Sequence, residues 1–472
     1  MSASVPAARP RSISQPALWV ALAALLGGLR LFLRAPSTNL LGLPALLETG
    51  FTLALLGAVL VLAGGLGRKC LRGFALDGLT GLERLVIGTS LGLGLLAYGV
   101  LALGLAGLLH PWAVLLGLAG AGWWVRSDLG EIAAQVSVRL ERLRGDWRRL
   151  FPPEKVVALL GSLILLLSGL QALVPPVEYD ALMYHLRAPA LYLQAGRLLF
   201  LPEVWQANGP STPAMLFTLG LAFGSDTFSK AIHLATAVLL VLGTFSFAKR
   251  FMGRRLAWMA VAALLGVPAY AFWAGQALTD ITWALFQFLS IYAFLLWLES
   301  GGRRYLALSG ALMGLALGSK YLALAGFGIL GLWALGQARR IGWRQAFSGA
   351  ALFGATAVLV ASPWYLKNWV WSGNPVYPFY LGGPGWDPAR LDLLMTFLRS
   401  FGAGSRWQDI LLLPVNLYIH YDRFSTNAGI ELPGLLFPLV LVYPWSGRTR
   451  PLNHLAGITA LFFAAWVAGS QQ

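Results

Sequence analysis

The chain has 472 residues, of which 57% are hydrophobic and only 11% charged, with a net charge of +16. Soluble globular domains carry about 25% charged residues, so that class is excluded. The basic residues lie between apolar runs rather than in one stripe, which argues against nucleic acid as a partner and for a membrane protein with a positive inner face.

Mean hydropathy is +0.68, and apolar runs recur along the chain separated by short polar stretches. That pattern predicts membrane-spanning helices, whereas a β-barrel would show alternating segments of about ten residues. In chain order the candidate spans are 17–34, 44–66, 85–108, 111–125, 156–174, 228–248, 256–274, 281–298, 305–318, 321–337, 346–365, 433–447 and 452–468. The expected fold is an all-α, polytopic transmembrane bundle of about thirteen spans, with further helices in external loops. Arg9 and Arg11 precede a long first span, which fits a signal anchor rather than a cleaved signal. The single cysteine, Cys70, excludes an internal disulfide.

An N-terminus inside places "GRKCLR" (67–72), 126–155, "KRFMGRR" (249–255), "GGRR" (301–304), "ARRIGWR" (338–344) and "SGRTR" (446–450) on the cytosolic face, and each is net basic. The two long loops left outside are balanced: 175–230 holds four acids against three Lys/Arg, and 366–432 five against five. Lys/Arg bias sets orientation, so the expected site is the cell inner (plasma) membrane with an inside N-terminus.

Residues 131–151 carry Ile132, Val136, Leu140, Leu143, Trp147 and Leu150 at helical spacing, with arginines opposite. An amphipathic helix on the anionic inner leaflet accounts for this. It divides the chain into four N-terminal spans (1–125), a cytosolic linker (126–155) and a larger module (156–472). The apolar stretch 212–224 is too short to span and is expected as a helix at the outer surface. No zinc-ligand spacing, Walker sequence or nucleotide-binding glycine fingerprint is present.

Orientation gathers the unusual polar residues on one face. Glu178 and Asp180 open the first large external loop, followed by Tyr184, His185 and Arg187. Asp280 lies at the external start of a span, Lys320 in the external hairpin between two short ones, and Lys367 and Asn368 beyond another. A charge at bilayer depth costs roughly 2.5–3.5 kcal/mol or more, so such residues pair or serve function. An isolated acid at an interface is ordinarily just solvated, and a lone histidine such as His185 is ordinarily a hydrogen-bonded core residue. Asp280 and Lys320, flanked by apolar residues with no local charge partner, either pair across helices or define a site. The loop segment "KNWVWSGNPVYPFYLGGPGW" (367–386) reads as a run of turns. Its aromatic residues, Tyr377 among them, suit a membrane interface, a sugar face or the flank of a lipid.

Taken together, "VEYDALMYHL", "GPSTPAMLFTLGLAFGSD", "KAIHLATAVLLVLGTFSFAKRFMG", "ALTDITWALF", "GLALGSKYLAL" and "SPWYLKNWVWSGNPVYPF" resemble the bacterial GT-C integral-membrane glycosyltransferases. These are relatives of the protein O-mannosyltransferases and the lipid A aminoarabinose transferases. The resemblance covers about 155–380 in consistent order. It implies a polyprenyl-phosphate-linked sugar donor, an extracytoplasmic active site, and a lipid, glycan or protein acceptor in contact with membrane lipids. Asp180 stands where the family's characteristic acid opens the first external loop, Asp280 where a second acid begins a later span, and Lys320 where a lysine meets the donor phosphate. The segment 212–224 matches an external horizontal helix. Two departures are clear: the spans at 17–125 precede the usual module, and the chain stops at "VAGSQQ" where related sequences run on, which reads as a truncated or divergent end.

Transfer of a sugar from a lipid phosphate needs a base for the acceptor hydroxyl and a cation for the departing phosphate. The implied assignments are Asp180, with Glu178, as catalytic acids, and Lys320 and Arg187 for the donor phosphate. Asp280, His185, Lys367, Asn368 and Tyr377 are the expected substrate-binding residues. Glu178 and Asp180 are the pair that could hold Mg or Mn. The rivals are a secondary transporter, which would show repeats and broken helices at mid-depth, and a non-catalytic lipid-handling protein.

Overall fold

The computed structural model describes residues 43–402, 404, 406–424, 434 and 450–469. The span expected at 17–34 lies outside them, as does that at 433–447 apart from Gly434. All regular secondary structure among the described residues is helical.

The first four long helices are α1 (Leu43–Phe74), α2 (Gly81–Leu105), α3 (Pro111–Arg148) and α4 (Pro152–Ala172). α2 starts where Thr80 caps it: the threonine hydroxyl accepts from the Glu83 N–H, and the Glu83 carboxylate accepts from the Thr80 N–H. α3 carries the span expected at 111–125 and continues unbroken through Arg148, so the linker begins as an extension of that helix. α4 begins on Pro152 and ends before Pro175 and Pro176, which cannot continue it.

Beyond a π-helical turn at Ala181–His185 come α5 (Arg187–Ala195), α6 (Thr212–Ala222), α7 (Thr227–Met252), α8 (Arg254–Leu265) and α9 (Pro268–Ala274). They are followed by α10 (Asp280–Ser300), α11 (Arg303–Leu317), α12 (Ala323–Gly336), α13 (Ala338–Ile341) and α14 (Trp343–Ser372). Short helices α15 (Pro388–Arg399), α16 (Trp407–Leu411) and α17 (Leu413–Ile419) precede α18 (Arg450–Ala468).

Among the described residues, seven helices are long and apolar enough to cross a membrane: α1, α2, α4, α7, α10, α14 and α18. α8 and α9, bent 73° from each other before Pro268, form an eighth if counted as one span. The protein is an all-α, multi-pass membrane bundle. α6, the short helix expected at the outer face, is enclosed by protein: every residue but Leu221 is buried, as suits a helix apolar on all sides.

Glycine sets the closest approaches. A Cβ at Gly92 of α2 would stand 1.8 Å from the Ala63 carbonyl oxygen of α1, and one at Gly314 of α11 would stand 2.6 Å from that of Ala357 in α14. Small residues let membrane helices touch backbone to backbone, and the second contact fixes the helix that leads into Lys320.

The connections fall into two sets at opposite ends. Thr212 N–H donates to the Gly318 carbonyl (2.8 Å), Lys230 Nζ to that of Val174 (2.9 Å), Lys367 Nζ to that of Asn208 (2.8 Å) and Tyr321 Oη to that of Tyr377 (3.1 Å). At the other end Arg250 reaches the Gly78 carbonyl (3.1 Å) and Glu83, Arg304 reaches Ala75 (2.9 Å), and Arg254 reaches Arg149 (3.2 Å) and Glu154. These are the two groups of loops that the Lys/Arg pattern separates. α10 joins them, with Asp280 at one end and Glu299 near the other. At about 1.5 Å per residue its 21 residues cover the roughly 30 Å of a hydrocarbon core.

Candidate active site

Lys320 stands between α11 and α12, where its Nζ donates to Asp280 Oδ1 at 2.6 Å. Two features fix the lysine. Gly318, just before it, has its carbonyl held by both the N–H and the hydroxyl of Thr212, at 2.8 Å each. The Lys320 N–H itself donates to the Ala316 carbonyl at 3.1 Å. Asp280 is the first residue of α10, where a carboxylate also faces the positive end of the helix dipole. The pair is open to its surroundings, with the lysine side chain 37% and the aspartate 29% exposed.

Asp180 joins this pair from the turn after α4. The Leu186 N–H closes the π-turn on the Ala181 carbonyl at 2.9 Å. The wider turn aligns residues five apart, so Asp180 and His185 share a side, and π-turns recur at functional sites. Burial pushes the Asp180 carboxyl above its usual range, against the opposing pull of the Tyr184 hydroxyl bonded to it and of the Lys320 charge; Asp280 adds to the rise. His185 is buried, and that burial takes its pKa down to about 3 despite the attraction of Asp280, so the imidazole is neutral at physiological pH. Its ring lies 4.1 Å, centroid to centroid, from that of Tyr184.

A residue to which the sequence reading gave no role completes the cluster. His233, on α7, is fully buried, and its ring nitrogen Nδ1 lies 3.1 Å from the Trp273 carbonyl, which requires the proton on Nδ1. Its Nε2 has no hydrogen-bond partner among the described residues, and the ring interacts electrostatically with both Asp280 and His185. The available signal was a histidine inside an apolar span, "KAIHLATAVLL", since an ionisable group at that depth is a functional candidate by default.

The remaining expected residues divide. The Glu178 carboxylate accepts from the Ala181 N–H at 2.7 Å and so caps the π-turn. Arg187 is exposed at the start of α5, and no hydrogen bond or ion pair holds it among the described residues. Lys367 is buried between Trp364 and Trp371, its Nζ 5.2 and 4.9 Å from their rings, and donates to the Asn208 carbonyl. Asn368 Nδ2 donates to Tyr321 Oη at 2.7 Å, and that hydroxyl donates to the Tyr377 carbonyl. Tyr377 itself is fully buried, its Oη donating to Pro384 at 2.7 Å. The structure therefore brings Asp180, His185, Asp280 and Lys320 into one cluster. Asn368 and Tyr377 support it through Tyr321, the neighbour of Lys320, while Lys367 braces the Asn208 loop. As donors for Mg or Mn, Glu178 and Asp180 supply two carboxylates. No group of three His, Cys, Asp or Glu side chains is placed to hold a metal ion among the described residues.

Residues 207–366 match the family model described as dolichyl-phosphate-mannose-protein mannosyltransferase. That is a GT-C-type family, as the resemblance implies. The GT-C match covers about a third of the chain and contains His233, Asp280 and Lys320; Asp180 and His185 precede it and Lys367 follows it. No curated protein and no solved structure matches the chain. Together, the apolar helices make this a multi-pass membrane protein, and the match makes about a third of it similar to the GT-C-type glycosyltransferases.

Proposed function

We propose that the protein moves a sugar from a polyprenyl-phosphate carrier to an acceptor hydroxyl on a lipid, glycan or protein at the extracytoplasmic face of the inner membrane. The observation that carries this reading is the meeting of Asp180 with the Lys320–Asp280 pair at the end of the bundle whose loops lack a basic excess. A membrane phosphate ester needs a cation at the lipid edge, and an acceptor hydroxyl needs a base beside it.

In this reading the donor phosphate binds Lys320, with Arg187 as a second cation, and shares the lysine with Asp280. Asp180 takes the proton of the acceptor hydroxyl as its oxygen bonds to the anomeric carbon. The bond from that carbon to the phosphate oxygen breaks, and the electron pair leaves on the polyprenyl phosphate, where Lys320 balances the charge. The raised affinity of Asp180 for protons improves it as a base. His185 stays neutral and so does not compete with Lys320 for the phosphate. These steps are assigned to side chains, and Glu178 and Asp180 are the carboxylates that would hold Mg or Mn beside the donor phosphate.

The test is transfer of radiolabel from polyprenyl-phosphate hexoses and pentoses to a membrane lipid and protein extract, using protein purified into liposomes. Label is expected to leave the carrier with wild-type protein and to stay on it with Asp180→Asn. Failure of every donor to lose label would overturn the reading.

A further inference from the structure

Residues 373–386, "GNPVYPFYLGGPGW", contain no Asp, Glu, Lys or Arg. The segment is nonetheless tightly built. Asn374 Nδ2 donates to the carbonyls of Phe379 (3.0 Å) and Gly382 (2.9 Å), and Asn374 Oδ1 accepts from the Val376 N–H (3.0 Å). Tyr377 is turned into the protein, and the Phe379 ring packs 5.8 Å from both Tyr321 and Trp205. That leaves Tyr380 and Leu381 pointing away, 85% and 72% exposed.

Tyr380 also has φ 64°, the left-handed region that glycine adopts freely and a tyrosine does not. Gly382 and Gly383 follow after Leu381, so the one bulky left-handed residue among the described residues stands at the tip. A strained residue persists where the surroundings fix it, and such sites are disproportionately functional. The apolar exposure is not isolated. On α14 Leu359, Leu366, Trp369 and Val370 are exposed, and they form a lipid-facing stripe that runs up the span to the turn from which this segment starts. A phenol beside a leucine, uncharged and continuous with such a stripe, is the composition of a bilayer interface, with the ring in the acyl boundary and its hydroxyl among the headgroups.

We infer that the Tyr380–Leu381 tip is a membrane anchor, seated at the headgroup boundary of the leaflet next to the Lys320 end. The inference does not depend on the reaction. Its consequence for the site is mechanical: the anchor holds Phe379 against Tyr321, so the wall beside Lys320 is kept level with the lipid surface.

The test places a nitroxide at Leu381→Cys in a Cys70→Ser chain, reconstituted into phosphatidylcholine liposomes. Its collisions with oxygen, which concentrates in lipid, are compared with those of a water-soluble nickel chelate. Oxygen is expected to dominate at 381 and the chelate at Ala389→Cys, an exposed control on α15. Dominance of the chelate at 381 would overturn the anchor by placing the tip in water. Shielding from both would overturn it by placing the tip against protein. Adding Tyr380→Gly keeps the backbone conformation and removes the ring, and is expected to shift the 381 label toward the chelate. An unchanged ratio would overturn the role of Tyr380.

Discussion

The two ends of the bundle use the same residue types to opposite effect. At the Glu299 end each buried acid has a basic partner. Glu83, fully buried, accepts from Tyr292 and from Arg250 at 3.1 Å, and Arg250 lies 3.7 Å from Glu299; Asp128, also fully buried, pairs with Arg72 at 2.6 Å; Glu154 meets Arg254 at 3.1 Å. At the Asp280 end the acids outnumber the cation. Asp180 has only the Tyr184 phenol and the Lys320 charge to favour its ionised form, Asp280 shares a half-open lysine, and His233 keeps a nitrogen without a partner among the described residues. The first arrangement satisfies charge and so fixes structure. The second leaves capacity for a ligand's proton and phosphate.

That contrast is broken most severely at Asp180. Asp180→Asn keeps the shape but cannot take a proton, and is expected to lower kcat by about 10²–10⁴-fold with donor binding retained. Near-normal turnover would move the base to Asp280. Lys320→Ala should weaken donor binding roughly 10- to 100-fold, the value of a hydrogen bond to a charged group, measured by titrating polyprenyl phosphate into protein in nanodiscs. Unchanged affinity would remove Lys320 from the phosphate site.

Glu83→Gln tests the other end. It should lower stability by about 1.5–3 kcal/mol, discounted because Arg250 is a quarter exposed and keeps Glu299, and should leave kcat per folded molecule unchanged. A loss of turnover without a loss of stability would erase the distinction between the ends.

The pH profile sharpens it further. A carboxyl pushed above its usual range by burial is protonated, and useless as a base, at pH values where an ordinary aspartate is ionised. The acid limb of kcat/KM should therefore lie above the ordinary carboxylate range, with rate rising with pH through it. The limb should vanish from the residual rate of Asp180→Asn. EDTA is expected to do nothing to the wild-type rate, and strong inhibition would restore Glu178 and Asp180 as a metal pair.

Most of the frame was legible because it rests on one-dimensional physics. Apolar run length located the helices, and the Lys/Arg pattern separated the loops into the two groups that the hydrogen bonds join. Asp280 and Lys320 stood out as charges without local partners, and their pairing at 2.6 Å chooses between the open readings only in part, since a pair can also be a site. His233 was missed because its meaning comes from Trp273 and Asp280, both more than 35 residues away in sequence. Lys367 reads alone as a free cation, but its buried seat depends on Asn208, whose side chain is held by Leu201 at 2.9 and 2.8 Å. The burial of α6 was equally invisible, for a short apolar helix suits a surface or an interior until its neighbours are known.

That enclosed helix bears on how the protein is made. α6 is 11 residues long, too short to cross the bilayer on its own, and its first residue is bonded to Gly318, which is synthesised 106 residues later. Its seat among α2, α5 and α7 is closed only when α11 arrives. The nascent chain must therefore carry α6 half-lodged past the translocon through the insertion of α7 to α10.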